Sequence, residues 1–253
     1  MQETKETVKT AKNTDKSVIK TMFEAGAHYG YSKSSRHPSV LKYIFGFKNK
    51  SAIIDLEQTS EALEKAKKIV AEKGATGGQI LFVGNKPEAR KIIKTMAEKL
   101  EMPYVAERWM GGTFTNFKQI RRRVERLQEI MKDEASGDLM RKYKKKERVK
   151  IAKEKQDLER YFTGIMAMEK LPVLMFAIDS KAEKIALDEA RMVGVPVVAI
   201  CSSDCDIRNI DHPIIANDSS VTSIKFFTEE IAKAFAEGKK AGLAKKETEA
   251  ETK

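Results

Sequence analysis

Three short runs of unbroken apolar character, Ile80–Val83, Val173–Ile178 and Val195–Ile200, constrain this chain more than any other feature. Each is too short for a buried helix and has no polar face, as expected of strands covered on both sides of a parallel sheet. Ala52–Leu56 and Tyr104–Ala106 read as two further strands, giving five in all. Helical spacing fills the intervals. Helices are predicted over Ser17–Ala27, over Thr59–Glu72, from Pro87 to Leu100 and over Ala182–Val193. A last one starts at Asn217-Asp218-Ser219 and ends near Gly238. Strand–helix alternation predicts the α/β class.

The alternation breaks once. About 66 residues separate the strand at Tyr104–Ala106 from the one at Val173, far more than a crossover needs. The excess is helical. Phe117, Ile120, Val124, Leu127 and Met131 form a seam, and Met140, Tyr143, Ile151, Leu158, Tyr161, Ile165 and Met168 continue it after Ser136-Gly137-Asp138. The expectation is an antiparallel helical hairpin whose first arm, about 20 residues, reaches ~30 Å and projects from the body.

Charge is uneven. The chain of 253 residues carries a net +11; residues 118–160 alone hold 16 basic and 9 acidic side chains, net +7, while residues 161–253 are net −3. A polyanionic partner follows, met by the insertion and the segment before it. Residues 1–16 and 239–253 are polar and read as flexible tails. No apolar run spans a bilayer and the first residues do not resemble a secretory leader, so no membrane partner is expected. Two cysteines, Cys201 and Cys205, give no disulfide framework and point to a reducing, cytoplasmic setting.

The residues for a polyanion cluster in three places. Arg108-Trp109-Met110-Gly111-Gly112-Thr113-Phe114-Thr115-Asn116 leaves a strand and enters a helix, with Lys118 following. Gly111 and Gly112 admit a close backbone, Thr113, Thr115 and Asn116 are helix-start residues, and free N–H groups there suit a phosphate. Trp109 either stacks on a base or packs in the core of a tight turn; the pattern does not separate the two. Arg121, Arg122 and Arg123 open the first arm, read as RNA-binding or as a solvated face. His28, Tyr29, Arg36, His37, Lys42, Tyr43, Lys48 and Asn49 interleave aromatic and basic side chains, which suits unstacked RNA bases and phosphates; each histidine alone reads better as structural.

Enzyme signatures are poor. No G-x-G-x-x-G, no G-x-x-x-x-G-K-[ST] and no G-x-S-x-G occurs. Asp179 reads as a helix cap, and the C-x₃-C of Cys201 and Cys205 lacks a second pair, so no catalytic residue, metal, cofactor or small-molecule substrate is assigned. A nucleotide enzyme using Gly84, Asp179 and Ser202, and a basic scaffold that binds proteins alone, are the competing readings.

Six ordered segments resemble one family. They are Phe23–Gly30, Tyr43–Gly46 with Asn49 and Ile53–Glu57, Ile80–Lys86, Arg108–Asn116, Leu171-Pro172 through Phe176–Asp179 and Gly194–Val197, and Pro213–Asp218. Together they are similar to the bacterial-type ribosomal small-subunit protein S-two family, over roughly Ser17 to Gly238. The chain departs from that pattern at Tyr31, Ser35–Pro38, Lys48, Lys50 and Cys201–Cys205.

The resemblance implies a flavodoxin-like five-stranded parallel sheet flanked by helices, with an inserted antiparallel coiled-coil hairpin. The parts would be an α/β core over 17–113 and 164–238 and an insertion over 114–163. It further implies a non-catalytic constituent of the cytoplasmic ribosome. Such a protein binds small-subunit ribosomal RNA near the junction of head and body, supports assembly and translation, and touches neighbouring ribosomal proteins, in some members the large protein S-one.

Overall fold

The structure, a computed structural model, describes residues 17–251. Five parallel strands form its centre: β4 (Ile80–Val83), β5 (Tyr104–Val105), β6 (Leu174–Ile178), β7 (Val197–Cys201) and β8 (His212–Ile215). They lie in the order β5-β4-β6-β7-β8, the doubly wound order of flavodoxin type. Register is continuous across the middle, with Phe82 opposite Phe176 and Phe176 opposite Val198.

Membership of this sheet differs from the sequence expectation. Ala52–Leu56 is not its first strand. Ser51–Ile54 (β3) lies instead between β1 (Tyr29–Ser32) and β2 (Ile44–Lys48) in a separate antiparallel sheet of order β1-β3-β2. The place left open is taken by β8. Its Pro213 has no N–H for a ladder, which the outer position tolerates and which hides the strand in the sequence.

Alternate residues feed two cores. Ile80, Phe82, Leu174, Phe176, Val198 and Ile200 face one side with residues of α2 (Leu56–Ala75), α3 (Pro87–Leu100) and α8 (Val221–Glu251). Leu81, Val83, Met175, Ala177, Val197 and Ala199 face the other with residues of α4 (Phe117–Ala135), α6 (Lys145–Phe162) and α7 (Lys184–Val193). A short α1 covers residues 17–24 and α5 covers Asp138–Lys142. Asp55 caps α2 by accepting from the Glu57 N–H at 3.0 Å. The last helix does not stop near Gly238 but continues to Glu251, so the tail expected at 239–253 is helical that far. As far as Gly242 it is packed on α2: a Cβ on Gly238 would lie 2.1 Å from the Ala71 carbonyl oxygen and one on Gly242 2.2 Å from that of Ala75, so the two helices approach at backbone distance there. The tail expected at 1–16 lies outside the described residues.

In the insertion, α4 packs on α5 and α6. Ile120, Val124, Leu127 and Ile130 are buried with Ile151, Leu158 and Phe162. Ile130, not Met131, completes the first seam, and Met140 is 74% exposed and outside it. Arg126–Glu154 (3.1 Å) and Lys155–Glu134 (2.5 Å) bridge α4 and α6.

The crevice beyond β4 and β6, where a doubly wound sheet receives its ligand, is filled by the chain itself. Lys86 reaches Asp179 at 2.7 Å and Asp218 at 2.9 Å. The Asp179 carboxylate also accepts the N–H groups of Lys181 and Ala182, a turn made at a left-handed φ of 67°. Asp179, Cys205 and Asp218 could gather round a cation, but the Lys86 ammonium already supplies that charge. Residues 26–37 close over the top. Tyr31 N–H donates to Ser203 Oγ at 2.8 Å, His37 N–H to the Ser203 carbonyl at 2.8 Å, and Tyr31 Oη lies 2.8 Å from Ser219 Oγ. A Cβ on Gly30 would meet Ser203 Oγ at 2.9 Å, so this cover sits flush. Gly84, Asp179 and Ser202, the residues of the nucleotide-enzyme alternative, thus border a plugged crevice.

Glu183 is 1% exposed there; one oxygen accepts the Asn85 N–H at 2.7 Å and the other has no partner. Burial, with Asp179 nearby, raises its pKa to about 7. A raised carboxyl pKa means the folded state holds a proton that the unfolded state has released. Stability therefore falls as pH climbs from about 4.5 through about 7, by roughly 3 kcal/mol. Thermal melts across that range are expected to show the fall, and Glu183→Gln to remove it. Gly238→Ala is expected to cost about 2 kcal/mol, read as a melting midpoint lower by about 4–8 °C.

Candidate nucleic-acid interface

The loop between β5 and α4 turns on one carboxylate. Glu189, on α7, accepts the N–H groups of Gly112 (2.7 Å), Phe114 (2.9 Å) and Thr115 (3.2 Å), the Thr115 hydroxyl (3.3 Å) and the Trp109 indole N–H (3.2 Å). Gly112 sits at φ 90°, which lets the backbone curl its N–H inward. Thr113 is buried and its hydroxyl donates to the Met110 carbonyl at 2.6 Å. Burial of Glu189 works to raise its pKa, but these donors outweigh it and hold the carboxyl below the usual glutamate range.

This decides one open reading and corrects one expectation. Trp109 is 5% exposed and packs edge-on against Phe114, with centroids 5.1 Å apart; it is a core residue, not a stacking platform. The loop N–H groups expected to hold a phosphate hold Glu189 instead. What the loop presents to solvent is Arg108, Gly111, Thr115, Asn116 and Lys118. Asn116 precedes α4 without a side-chain cap bond.

The triple arginine also divides. Arg121 is half-buried and donates to the carbonyls of Met166 and Met168, each at 3.1 Å, tying the root of α4 to the chain returning from α6. Arg122 and Arg123 are exposed.

The segment 28–50 divides in the same way. His28 is buried, stacks on Phe23 (4.3 Å) and touches Tyr29 (4.0 Å); burial lowers its pKa, so it is a neutral structural ring. His37 starts the 3-10 turn Pro38–Tyr43, with Nδ1 2.8 Å from Ser39 Oγ and 3.9 Å from Asp206. Tyr43 is half-buried at the edge of the core, with the Lys42 ammonium 4.9 Å from its ring centroid. Tyr29, Lys42, Lys48 and Asn49 are exposed and Arg36 half-exposed. Helix α7 touches both regions: its Glu189 holds the 109–115 loop, and its Lys184, Asp188 and Arg191 line a cavity of about 230 Å³ with His37.

Among the described residues, Arg36, Lys42, Lys48, Arg108, Lys118, Arg122 and Arg123 have no carboxylate within ion-pair distance. The sequence pointed to all seven. It missed Glu189, whose only signal was an acid on the inner face of a helix that otherwise reads as amphipathic. It also missed Lys33, Phe45 and Phe47, exposed beside this segment.

The comparisons bear directly on this surface. A family model described as Ribosomal protein S2 matches residues 22–238. That match takes in both basic segments and the whole doubly wound sheet. The chain belongs to the ribosomal protein S2 family. Two proteins named small ribosomal subunit protein uS2 are similar to it. The one from Acidothermus cellulolyticus is 39% identical over 91% of this chain and 84% of its own length. The one from Spiroplasma citri is 46% identical over 83% of this chain and 58% of its own length. As a member of this family the chain is a structural, non-enzymatic protein of the cytoplasmic ribosome. No helix among the described residues is long and apolar enough to cross a membrane.

Because Glu189 titrates below the ordinary glutamate value, its contribution is complete above that value and is lost as pH falls through the depressed one. Glu189→Gln is expected to lower the melting midpoint at pH 6 and to lose that part of the acid sensitivity. Trp109 is the only tryptophan, so its emission, shifted to longer wavelength in the variant, reports the loop opening.

Proposed function

We propose that the chain grips small-subunit ribosomal RNA through Arg36, Lys42, Lys48, Arg108, Lys118, Arg122 and Arg123. The polar groups Thr115 and Asn116, the exposed Gly111 and the rim residues Tyr29, His37 and Asn49 would complete the interface. His28, Tyr43, Trp109, Gly112, Thr113 and Arg121 shape it from within. The observation that carries this reading is a local excess of positive charge: residues 25–54 hold five basic side chains and no acidic one, and Arg108, Lys118, Arg122 and Arg123 likewise have no carboxylate within ion-pair distance among the described residues. Buried carboxylates at Asp179, Asp218 and Glu189 face inward. Phosphate contacts supply the affinity and the shape of the loops supplies the selection.

In this reading the core is 17–113 and 164–238, and the insertion 114–163 is a coiled-coil hairpin that carries Arg122 and Arg123 at its root. The place on the subunit is near the head–body junction, where the protein supports assembly and translation beside other ribosomal proteins. The large protein S-one is a further neighbour; that part rests on the family resemblance alone.

Binding to small-subunit ribosomal RNA is expected to weaken steeply with salt. Arg122→Ala with Arg123→Ala flattens the log–log slope by about 0.7 for each phosphate that is no longer neutralised, up to about 1.4. Arg121→Ala instead lowers the melting midpoint, because it orphans two carbonyls. An unchanged slope in the double variant places the RNA elsewhere.

A further inference from the structure

The thirty residues between Glu24 and Asp55 contain no acidic side chain, yet hold Lys33, Arg36, Lys42, Lys48 and Lys50. In their midst β2 exposes large rings that the core does not use. Phe45 is 81% exposed and Phe47 42%. Phe47 is flanked by cations, with the Lys33 ammonium 5.4 Å and the Arg36 guanidinium 5.3 Å from its ring centroid. No packing argument accounts for Phe45. Water is a poor neighbour for an open phenyl ring, and a strand on the surface is served equally well by threonine.

The turn joining β2 to β3 adds an independent observation. Asn49 (φ 50°) and Lys50 (φ 66°) both adopt the left-handed conformation, as a two-residue hairpin turn of this hand requires. Asparagine accepts that conformation readily, and glycine is the residue that suits the second place. A lysine there is strained, and its side chain has no ion-pair partner among the described residues. The strain is kept for something the folded chain does not itself use.

We infer that Phe45 and Phe47 form a stacking platform for an unstacked nucleobase of RNA, with Lys33, Arg36, Lys48 and Lys50 holding the adjoining phosphates. The inference rests on the RNA-binding reading above and adds a base-contacting site to it. Aromatic faces accept any base, and cations beside them track the backbone. A protein partner suits the patch less well, because five cations without one acid would need a strongly acidic surface opposite.

Two variants and one cross-link test it, with full-length small-subunit ribosomal RNA as the ligand. Lys50→Gly is expected to relieve the turn, raising the melting midpoint by about 2–4 °C, while flattening the salt slope of RNA binding by about 0.7. Phe45→Thr is expected to leave the midpoint and the slope unchanged and to weaken binding about 5- to 160-fold, the range for removal of one base stack. A photoreactive phenylalanine analogue at position 45, irradiated in assembled subunits, is expected to join RNA. If the unaltered protein binds this RNA steeply with salt and both variants bind as it does, the platform is refuted and the wider reading stands. If the unaltered protein does not bind the RNA, both fall. A cross-link from position 45 to protein alone also refutes the platform.

Discussion

A single buried carboxylate decides the shape of the surface that meets solvent between β5 and α4. Glu189 gathers three backbone N–H groups, an indole and a hydroxyl from a loop that has little secondary structure of its own. Hydrogen bonds to an ionised group are each worth about 1.5–3 kcal/mol, and the donors left behind by its removal would be buried without partners. The loop is therefore a rigid object although its sequence, with two glycines and three small polar residues, reads as pliable. Rigidity is what lets Arg108, Lys118 and the root of α4 hold fixed positions relative to one another.

The same logic recurs in the crevice beyond the C-terminal ends of β4 and β6. A doubly wound sheet leaves a crevice where its winding reverses, and in this chain the crevice is occupied by Lys86 between Asp179 and Asp218 and roofed by residues 26–37. The Lys86 ammonium also reaches the roof, 3.5 Å from Tyr31 Oη and 5.9 Å from its ring centroid, beside the close Gly30–Ser203 contact. A feature that serves small-molecule chemistry in other proteins of this architecture serves here to seat the basic, aromatic segment 28–50 on the body. In the proposed reading the loops meet the RNA and the sheet is their mount.

Much of this was legible in the sequence. The apolar runs at Ile80–Val83 and Val173–Ile178 have no polar face, so only a central strand could hold them. The helical insertion declared itself by a break in strand–helix alternation. Failures came where one residue type has two uses. Phe45 and Phe47 alternate with Ile44 and Gly46 as a half-buried strand would, and nothing in that pattern says which face is bare. β8 gave no strand signal, because Pro213 suits only an edge strand and the edge is a property of the assembled sheet. Trp109 and Thr113 are good RNA ligands in isolation; only the structure shows that the indole N–H is spent on Glu189, 80 residues away, and the Thr113 hydroxyl on the Met110 carbonyl. Arg121 differs from Arg122 and Arg123 solely by the direction it leaves the helix, which depends on where the chain after α6 returns.

The account stands on one spatial claim: Arg36, Lys42, Lys48, Arg108, Lys118, Arg122 and Arg123 face ribosomal RNA, and the α8 side does not. An iron chelate that generates hydroxyl radicals, tethered to a single introduced cysteine at position 108, 122 or 243 in assembled small subunits, tests it most directly. The native Cys201 and Cys205 are buried and would not compete for the reagent. The account predicts strong, overlapping RNA cuts from positions 108 and 122 and weak or no cuts from exposed Leu243. Strong cuts from 243 with none from 108 and 122 would contradict it.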